Sequence, residues 1–342
     1  MIRRRLLAAI AVGGVLVAGV AQAQDGPEKK AVSLAVGGKT LLYYLPLTLA
    51  EQLGYFKDEG LEVTISDFAG GSKSLQALMG GSADVVTGAY DHTIQMQAKG
   101  QPITGTVVLG RFPGIVLGVV ADKADEYQGP ESLKGWNVGV TAPGSSTNFM
   151  VNYLLSRHGL QPSDVSFIGV GGGPSAVAAV KRGEVDAIAN LDPAISQLEN
   201  EGSIKIVADT RTEAGSREVY GGGYPAAVLY TKPEFVEENP RTVQALVNAF
   251  VRTLDWLQKA SPEEVAAKVP EAYFLGDRAA YTASLERSKP MYSPTGELDM
   301  AAAENARKVL AAFDESVKQA DIDLAKTWDG RFVEEARAKL GN

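Results

Sequence analysis

Short apolar runs alternate with segments of helical periodicity through the first two thirds of the chain. Leu75, Leu78 and Met79 recur at helical spacing before Gly80, and Val177 and Val180 do the same before Gly183, glycines suited to helix C-termini. Between such segments lie runs such as ADVV before Thr87 and VGV from Val138, which read as strands. Helices between short apolar strands predict βαβ units and a mostly parallel sheet, hence an α/β fold.

The pattern occurs twice. Leu34–Tyr90 and Val138–Pro193 each read strand, polar loop, helix, Gly-Leu, strand, glycine-rich loop, helix, Gly-x-x-Asp, strand. Gly81 and Asp84 correspond to Gly183 and Asp186 at an offset of about 100 residues, and a duplication of this kind predicts two α/β lobes of similar plan. The apolar runs GIVLGVV from Gly114 and YPAAVLY from Tyr224 follow the two copies and are expected to link the lobes as a two-strand hinge. The expected division is lobe 1 over 31–115, lobe 2 over 116–224, and a return to lobe 1 with C-terminal helices over 225–342. Open α/β sheets bind ligands beyond the carboxyl ends of their strands, so a ligand belongs in the cleft between the lobes.

The last third is mainly helical in pattern. Asn239 and Pro240 suit N-cap and N1, and Val243, Leu246, Val247, Phe250, Val251, Leu254 and Leu257 form one long apolar stripe. Ser261-Pro262-Glu263-Glu264 has capping-box spacing, and a further amphipathic helix is expected from Met300 to about Ala320.

At the other end, Arg3, Arg4 and Arg5 precede an apolar run, Leu6–Val20, and the small-residue sequence Ala21-Gln22-Ala23. This is the form of a secretory signal peptide over 1–23, cleaved after Ala23; its apolar run is shorter than the roughly 20 residues of a spanning helix. Sec export is expected rather than the twin-arginine route, whose flanking residues are poorly matched. The mature chain is therefore expected to be a soluble periplasmic protein. Without the three leader arginines the formal charge of −8 becomes −11. That acidity argues against general binding to nucleic acid or membrane surfaces. The absence of cysteine excludes disulfides, thiolate metal sites, cysteine nucleophiles and a lipid-anchored cysteine.

Candidate chemistry concentrates in the loops after the strands. GGKT at Gly37–Thr40 imitates the end of a phosphate-binding P-loop, but Ser33 stands where the motif needs glycine. What remains is Lys39 and Thr40 on a loop, either reaching an anion or solvated. APGSSTN places Ser145, Ser146 and Thr147 at a strand-to-helix turn. It lacks the G-x-S-x-G pattern, and the chain has only His92 and His158 to serve as a base. The stretch is then either an anion site, with free amides and hydroxyls at a helix N-terminus, or a plain cap. Gly71 and Ser72 open the second helix of the first copy, with Gly171, Gly172 and Gly173 at the equivalent place in the second; both are read as amides turned to the cleft or as turn geometry alone.

Tyr43 and Tyr44 follow the first strand, one expected to line the cleft and the other to pack. Tyr90 is expected to stack on a ligand and Asp91 to accept a hydrogen bond from it, while His92 reads as a satisfied helix-start residue. Asn190 and Asp192 are the counterparts in the second copy, with Asp192-Pro193 alternatively a helix start. Arg111, just before the first hinge run, is the candidate counter-ion, or else a surface arginine. No His/Asp/Glu cluster has metal-ligand spacing and no dinucleotide fingerprint occurs, so neither metal nor cofactor is expected.

LPLTLAEQLGYFKDEGLEVTI, GGSADVV with RGEVDAIANLDP, and LKGWNVGVTAPGSST resemble the periplasmic substrate-binding proteins of ABC importers. The group they resemble is the nitrate/sulfonate/taurine-type family, which includes relatives that bind thiamine-pyrimidine precursors. The resemblance covers nearly the whole mature chain. It implies a type II periplasmic-binding fold and a monomer that closes over a solute and delivers it to an inner-membrane permease with a cytoplasmic ATPase. It also places the binding loops on Tyr43-Tyr44, Gly71-Ser72, Tyr90-Asp91, Ser145-Ser146-Thr147 and Asn190-Asp192. Several tyrosines and a carboxylate by the cleft suggest an organic solute with an anionic end, an alkyl or aromatic sulfonate or carboxylate. A pyrimidine precursor is the alternative ligand. Thiamine-pyrimidine synthases, which share the fold, are the enzymatic rival, though they rely on a cysteine-rich motif and active-site histidines.

Overall fold

The structure is a computed structural model that describes residues 26–341. The leader read at 1–23 lies outside the described residues. The strands are β1 (Ala31–Gly37), β2 (Glu62–Phe68), β3 (Val85–Ala89), β4 (Thr104–Val108), β5 (Val116–Val120), β6 (Asn137–Val140), β7 (Ser166–Gly169), β8 (Ala187–Asn190), β9 (Ile204–Asp209) and β10 (Ala227–Thr231). They form two five-stranded sheets, ordered β2-β1-β3-β10-β4 and β7-β6-β8-β5-β9. The second order repeats the first, with β6, β7 and β8 standing where β1, β2 and β3 stand.

The duplicated Gly-x-x-Asp has one structural job in both lobes. Gly81 and Gly183 turn the chain in the left-handed region (φ 78° and 67°), which favours glycine. Each aspartate then ties its strand to the neighbouring one. Asp84 Oδ2 accepts the Ser33 amide of β1 at 2.8 Å, and Asp186 Oδ2 accepts the Asn137 amide of β6 at 2.8 Å.

The two apolar runs expected to form a hinge are instead interior strands. β5 runs antiparallel between β8 and β9 (Val116 opposite Asn190 and Asp209), and β10 runs antiparallel between β3 and β4 (Val228 opposite Gly88 and Val108). Each sheet is thus mixed rather than wholly parallel. The chain passes between the sheets through residues 109–115 and 210–226. All of β3 and β10 is buried, in keeping with their mainly apolar sequences, VVTGA and AVLYT.

Lobe 1 carries α1 (Leu45–Gln52), α2 (Tyr55–Asp58), α3 (Gly71–Met79) and α4 (Asp91–Ala98); lobe 2 carries α5 (Ser146–Arg157), α6 (Gly173–Lys181) and α7 (Ala194–Asn200). The second crossing contains α8 (Glu213–Tyr220). After β10 come α9 (Pro233–Glu238), α10 (Pro240–Lys259), α11 (Pro262–Ala266), α12 (Arg278–Ser288), α13 (Met300–Ala311), α14 (Glu315–Gln319) and α15 (Arg331–Leu340). The stripe of α10 is buried throughout, and Phe250 meets Phe56 of α2 edge-on at 5.5 Å. The capping box forms as read: Ser261 Oγ accepts the Glu264 amide and Glu264 accepts that of Ser261. The helix expected over 300–320 breaks in two, because Asp314 caps a new one by accepting the Ser316 amide.

Candidate functional site

The lobes meet where the N-termini of α3 and α5 face each other. Ser145 occupies the backbone position of an N-cap but makes no cap hydrogen bond within its own helix. Its Oγ instead accepts the Ser72 amide at 3.0 Å, across the cleft. In return Ser72 Oγ donates to the Pro143 carbonyl at 2.9 Å. Beside this clasp the Leu42 amide donates to the Asp192 carbonyl at 2.9 Å. Gly70 lies so near the lobe 2 backbone that a Cβ there would fall 2.9 Å from that of Ala142. Glycine is what allows the lobes this approach.

Beneath the clasp lies an inter-lobe cavity of about 20 Å³, lined by Tyr43, Tyr44, Gly71, His92, Ser145, Ser146 and Thr147, among others. That is space for about one water molecule. A larger solute requires the jaws to part by the thickness it adds. Ser146 and Thr147 stand in the first turn of α5, where helical amides lack intrahelical acceptors and the dipole favours negative charge. The Ser146 hydroxyl is buried with no hydrogen-bond partner. None of the described residues on the cavity lining is a lysine or arginine.

At the head of α4, Asp91 is 1% exposed and His92 fully buried. Asp91 Oδ2 accepts the Tyr224 hydroxyl at 3.1 Å, while Oδ1 has no partner. Ser146 of the opposite lobe approaches this carboxylate, outside hydrogen-bonding geometry. Burial pushes the carboxyl above its ordinary range, against the pull of His92 and the Tyr224 hydroxyl. Burial likewise drives Tyr43, Tyr220, Tyr224 and Tyr230 far above the usual phenol range, and the Asp91 charge adds to it in each. Asp91 thus stands behind the cavity lining, next to the lining residue His92, among neutral phenols of which Tyr43 lines the cavity.

His92 joins the lobes as well. Its Nε2 lies 3.2 Å from the Gly144 carbonyl, which can only accept, so Nε2 carries the proton. Nδ1 is then free to accept the Tyr230 hydroxyl at 3.4 Å. Burial lowers the imidazole pKa, opposed by Asp91, so the ring is held neutral. The reading of His92 as a helix-start residue holds for its position, but the residue also lines the cleft. Only the tertiary approach of residue 144 reveals this.

The other sequence candidates scatter. Both Tyr43 and Tyr44 line the cavity, packed edge-on at 4.8 Å, where one had been expected to pack elsewhere. Tyr90 points away, its hydroxyl 2.7 Å from that of Thr327 near the C-terminus. Lys39 is turned from the cleft by Glu51 of α1, at 2.7 Å, and its amide donates to Asp67. Thr40 stands at the lobe boundary beside Gly173, off the cavity. Arg111 lies in the first crossing, half exposed, donating to the Pro290 carbonyl and paired with Glu213 at 3.3 Å. Asn190, at the end of β8, holds the glycine-rich loop after β7 by donating to the Gly171 carbonyl at 2.9 Å. Asp192 Oδ1 accepts the amide and hydroxyl of Ser196, serving the start of α7. His158 ends α5 at the surface, 2.6 Å from Glu131.

Two mixed sheets of repeated order, two crossings and facing helix N-termini in the cleft define the type II periplasmic-binding fold. The family model described as NMT1/THI5 like matches residues 42–265, and the chain belongs to that family. A solved structure from Bordetella bronchiseptica RB50 is 52% identical, covering 93% of this chain and all of its own, with a TM-score of 0.91. The alkanesulfonate-binding protein SsuA of Xanthomonas axonopodis pv. citri, solved with MOPS, is 19% identical over 89% of this chain and 99% of its own (TM-score 0.67). The periplasmic nitrate-binding protein NrtA of Synechocystis PCC 6803 is 18% identical over 92% and 90% (TM-score 0.70). These two share the fold. A 4-amino-5-hydroxymethyl-2-methylpyrimidine phosphate synthase of Candida albicans is 27% identical over 234 residues, 66% of each chain. Among the described residues, no helix is long and apolar enough to cross a membrane.

Proposed function

We propose that the chain is the extracytoplasmic substrate-binding component of an ABC uptake system. It works as a periplasmic monomer, closes its lobes on a small organic solute and hands it to a permease driven by a cytoplasmic ATPase. It holds the solute without changing it. The names of the sulfonate- and nitrate-binding neighbours support this reading. The observation that carries it is the cross-cleft clasp of Ser72 and Ser145 over an inter-lobe cavity of mixed polar and apolar lining.

The solute is an organic anion with two polar ends. Its sulfonate or carboxylate meets the first-turn amides and hydroxyls of α5 and α3, which need no arginine to hold a negative charge. Its body lies against Tyr43 and Tyr44. An amino donor at its other end meets Asp91, whose Oδ1 has no partner. A plain inorganic anion would leave that carboxylate unpaired and repelled. Thermal-shift screening tests this, since a ligand at 100 times its Kd adds about 2.7 kcal/mol to stability. Aminosulfonates or amino acids should raise Tm, and nitrate should not. Stabilisation by nitrate alone would overturn the two-ended solute, and no response to any organic solute would overturn the transport reading.

A second reading is favoured by His92 in the cleft and by the synthase relative. In it an aminopyrimidine lies between the tyrosines with its amino group on Asp91, as a bound precursor or a product of chemistry. Stabilisation by an aminopyrimidine and not by sulfonates or carboxylates selects this reading. Appearance of a pyrimidine product from the purified protein separates synthase from carrier.

A further inference from the structure

A second cavity, of about 210 Å³, opens at the hinge and shares no lining residue with the cleft cavity. One wall is α8, packed onto lobe 2 where Gly215 abuts the Asp209 carbonyl. The other is the 293–302 stretch, tied to lobe 1 by the Val108 amide of β4 donating to the Gly296 carbonyl at 2.7 Å. The space suits a molecule smaller than a drug.

Ser216 of α8 lines this cavity, 1% exposed, and its hydroxyl has no partner. Helical serines and threonines ordinarily satisfy themselves on the carbonyl four residues back. Thr253 and Ser284 do so here, each at 2.8 Å. Ser216 instead leaves its hydroxyl unspent beside the cavity, a group that costs free energy until something bonds to it. The charges around the cavity are already engaged. Glu213 holds both Arg111 (3.3 Å) and Arg217 (3.0 Å). Glu297 faces Arg337 at 3.8 Å, and Asp299 caps α13. Two further lining hydroxyls are engaged as well: Ser293 Oγ accepts the Gly296 amide at 2.9 Å and Thr295 Oγ1 the Glu297 amide at 3.2 Å, while Phe112, Tyr224 and Leu298 supply apolar surface.

We propose that the hinge cavity is a second ligand site, for a compact uncharged molecule with an apolar body and one hydroxyl or amide for Ser216. Its occupant communicates with the cleft through Tyr224, which lines the hinge cavity and whose hydroxyl donates to Asp91 at 3.1 Å. Because its walls belong to different lobes, an occupant also changes the ease of closure. This coupling rests on the solute-binding reading of the cleft; the site itself does not.

Benzyl alcohol is the probe, titrated into the full chain by calorimetry and followed by amide NMR. Saturable binding is expected with a Kd of about 1 mM or tighter, with shifts in α8 and 293–302. Ser216→Ala, which should fold as the wild type does, is expected to weaken it about threefold or more. Ala302→Leu, which fills the cavity, should abolish it. Absence of saturable binding, or binding unchanged in both variants, overturns the site. If the site binds but cleft affinity for a solute is unmoved by saturating benzyl alcohol, the coupling is overturned and the site stands. If no solute binds the cleft, the carrier reading fails while benzyl alcohol still decides the hinge site.

Discussion

The Ser145 hydroxyl accepts the Ser72 amide at 3.0 Å, so the cap of one lobe's helix is supplied by the other lobe's helix. A hydrogen bond of this kind exists only in the closed arrangement and contributes to closure alone. Ser145→Ala removes it and leaves both helices otherwise intact. A net loss of about 0.5–1.5 kcal/mol is expected in solute affinity, roughly two- to twelvefold, with a smaller change in Tm. Calorimetric titration alongside thermal unfolding separates the two effects. An equal loss in both would make Ser145 an ordinary cap.

Asp91 has a pKa raised by burial, so the folded chain keeps this proton to higher pH than the unfolded chain. Between the two pKa values the folded state binds more protons, and the contribution of this group to stability falls as pH rises. Asp91→Asn removes that loss. The Tm difference between variant and wild type should shift in the variant's favour from pH 4 to pH 7, while affinity for an amino-bearing solute drops. A pH-independent difference would show that the carboxyl titrates normally.

His92 acts with the opposite sign. Its lowered pKa means that the unfolded chain takes up a proton that the folded chain refuses, so stability present above about pH 6.5 is lost as pH falls below it. In His92→Gln, which can still donate to Gly144, the acid-side slope of Tm against pH should be shallower. Parallel wild-type and variant profiles would mean that the ring protonates in place.

Phe250 is fully buried against Phe56 in the packing of α10 on lobe 1. Phe250→Ala should cost about 3–5 kcal/mol, read from urea unfolding. Because the residue is remote from the clasp, affinity per folded molecule should be retained.

The repeat, the α/β class and the loops after the strands were legible because periodicity and Gly-x-x-Asp are local signals. Asp84 and Asp186 prove to be strand ties with the same geometry in both lobes. What escaped was convergence. Tyr224 reaches Asp91 across 133 positions, and His92 reaches Gly144 across 52. The partner of Lys39 was hidden for a related reason: a loop lysine looks free until the helix that follows presents Glu51 to it. Tyr90 and Asp91 are neighbours in sequence, yet one faces Thr327 and the other Tyr224, because the chain turns into α4 between them. The break before Asp314 had a signal, an Asp-x-Ser that can cap, hidden inside an otherwise continuous apolar stripe.

The strand exchange between the sheets sets an order of assembly. All five strands of the second sheet lie between residues 116 and 209, whereas the first sheet needs β10, near residue 230, to fill the gap between β3 and β4. A chain growing from its N-terminus therefore has every strand of the second sheet in hand while the first sheet still has a gap between two strand edges. Those edges stay open until the chain has passed through the other lobe and returned. The half of the protein that is made first is the half that is finished last.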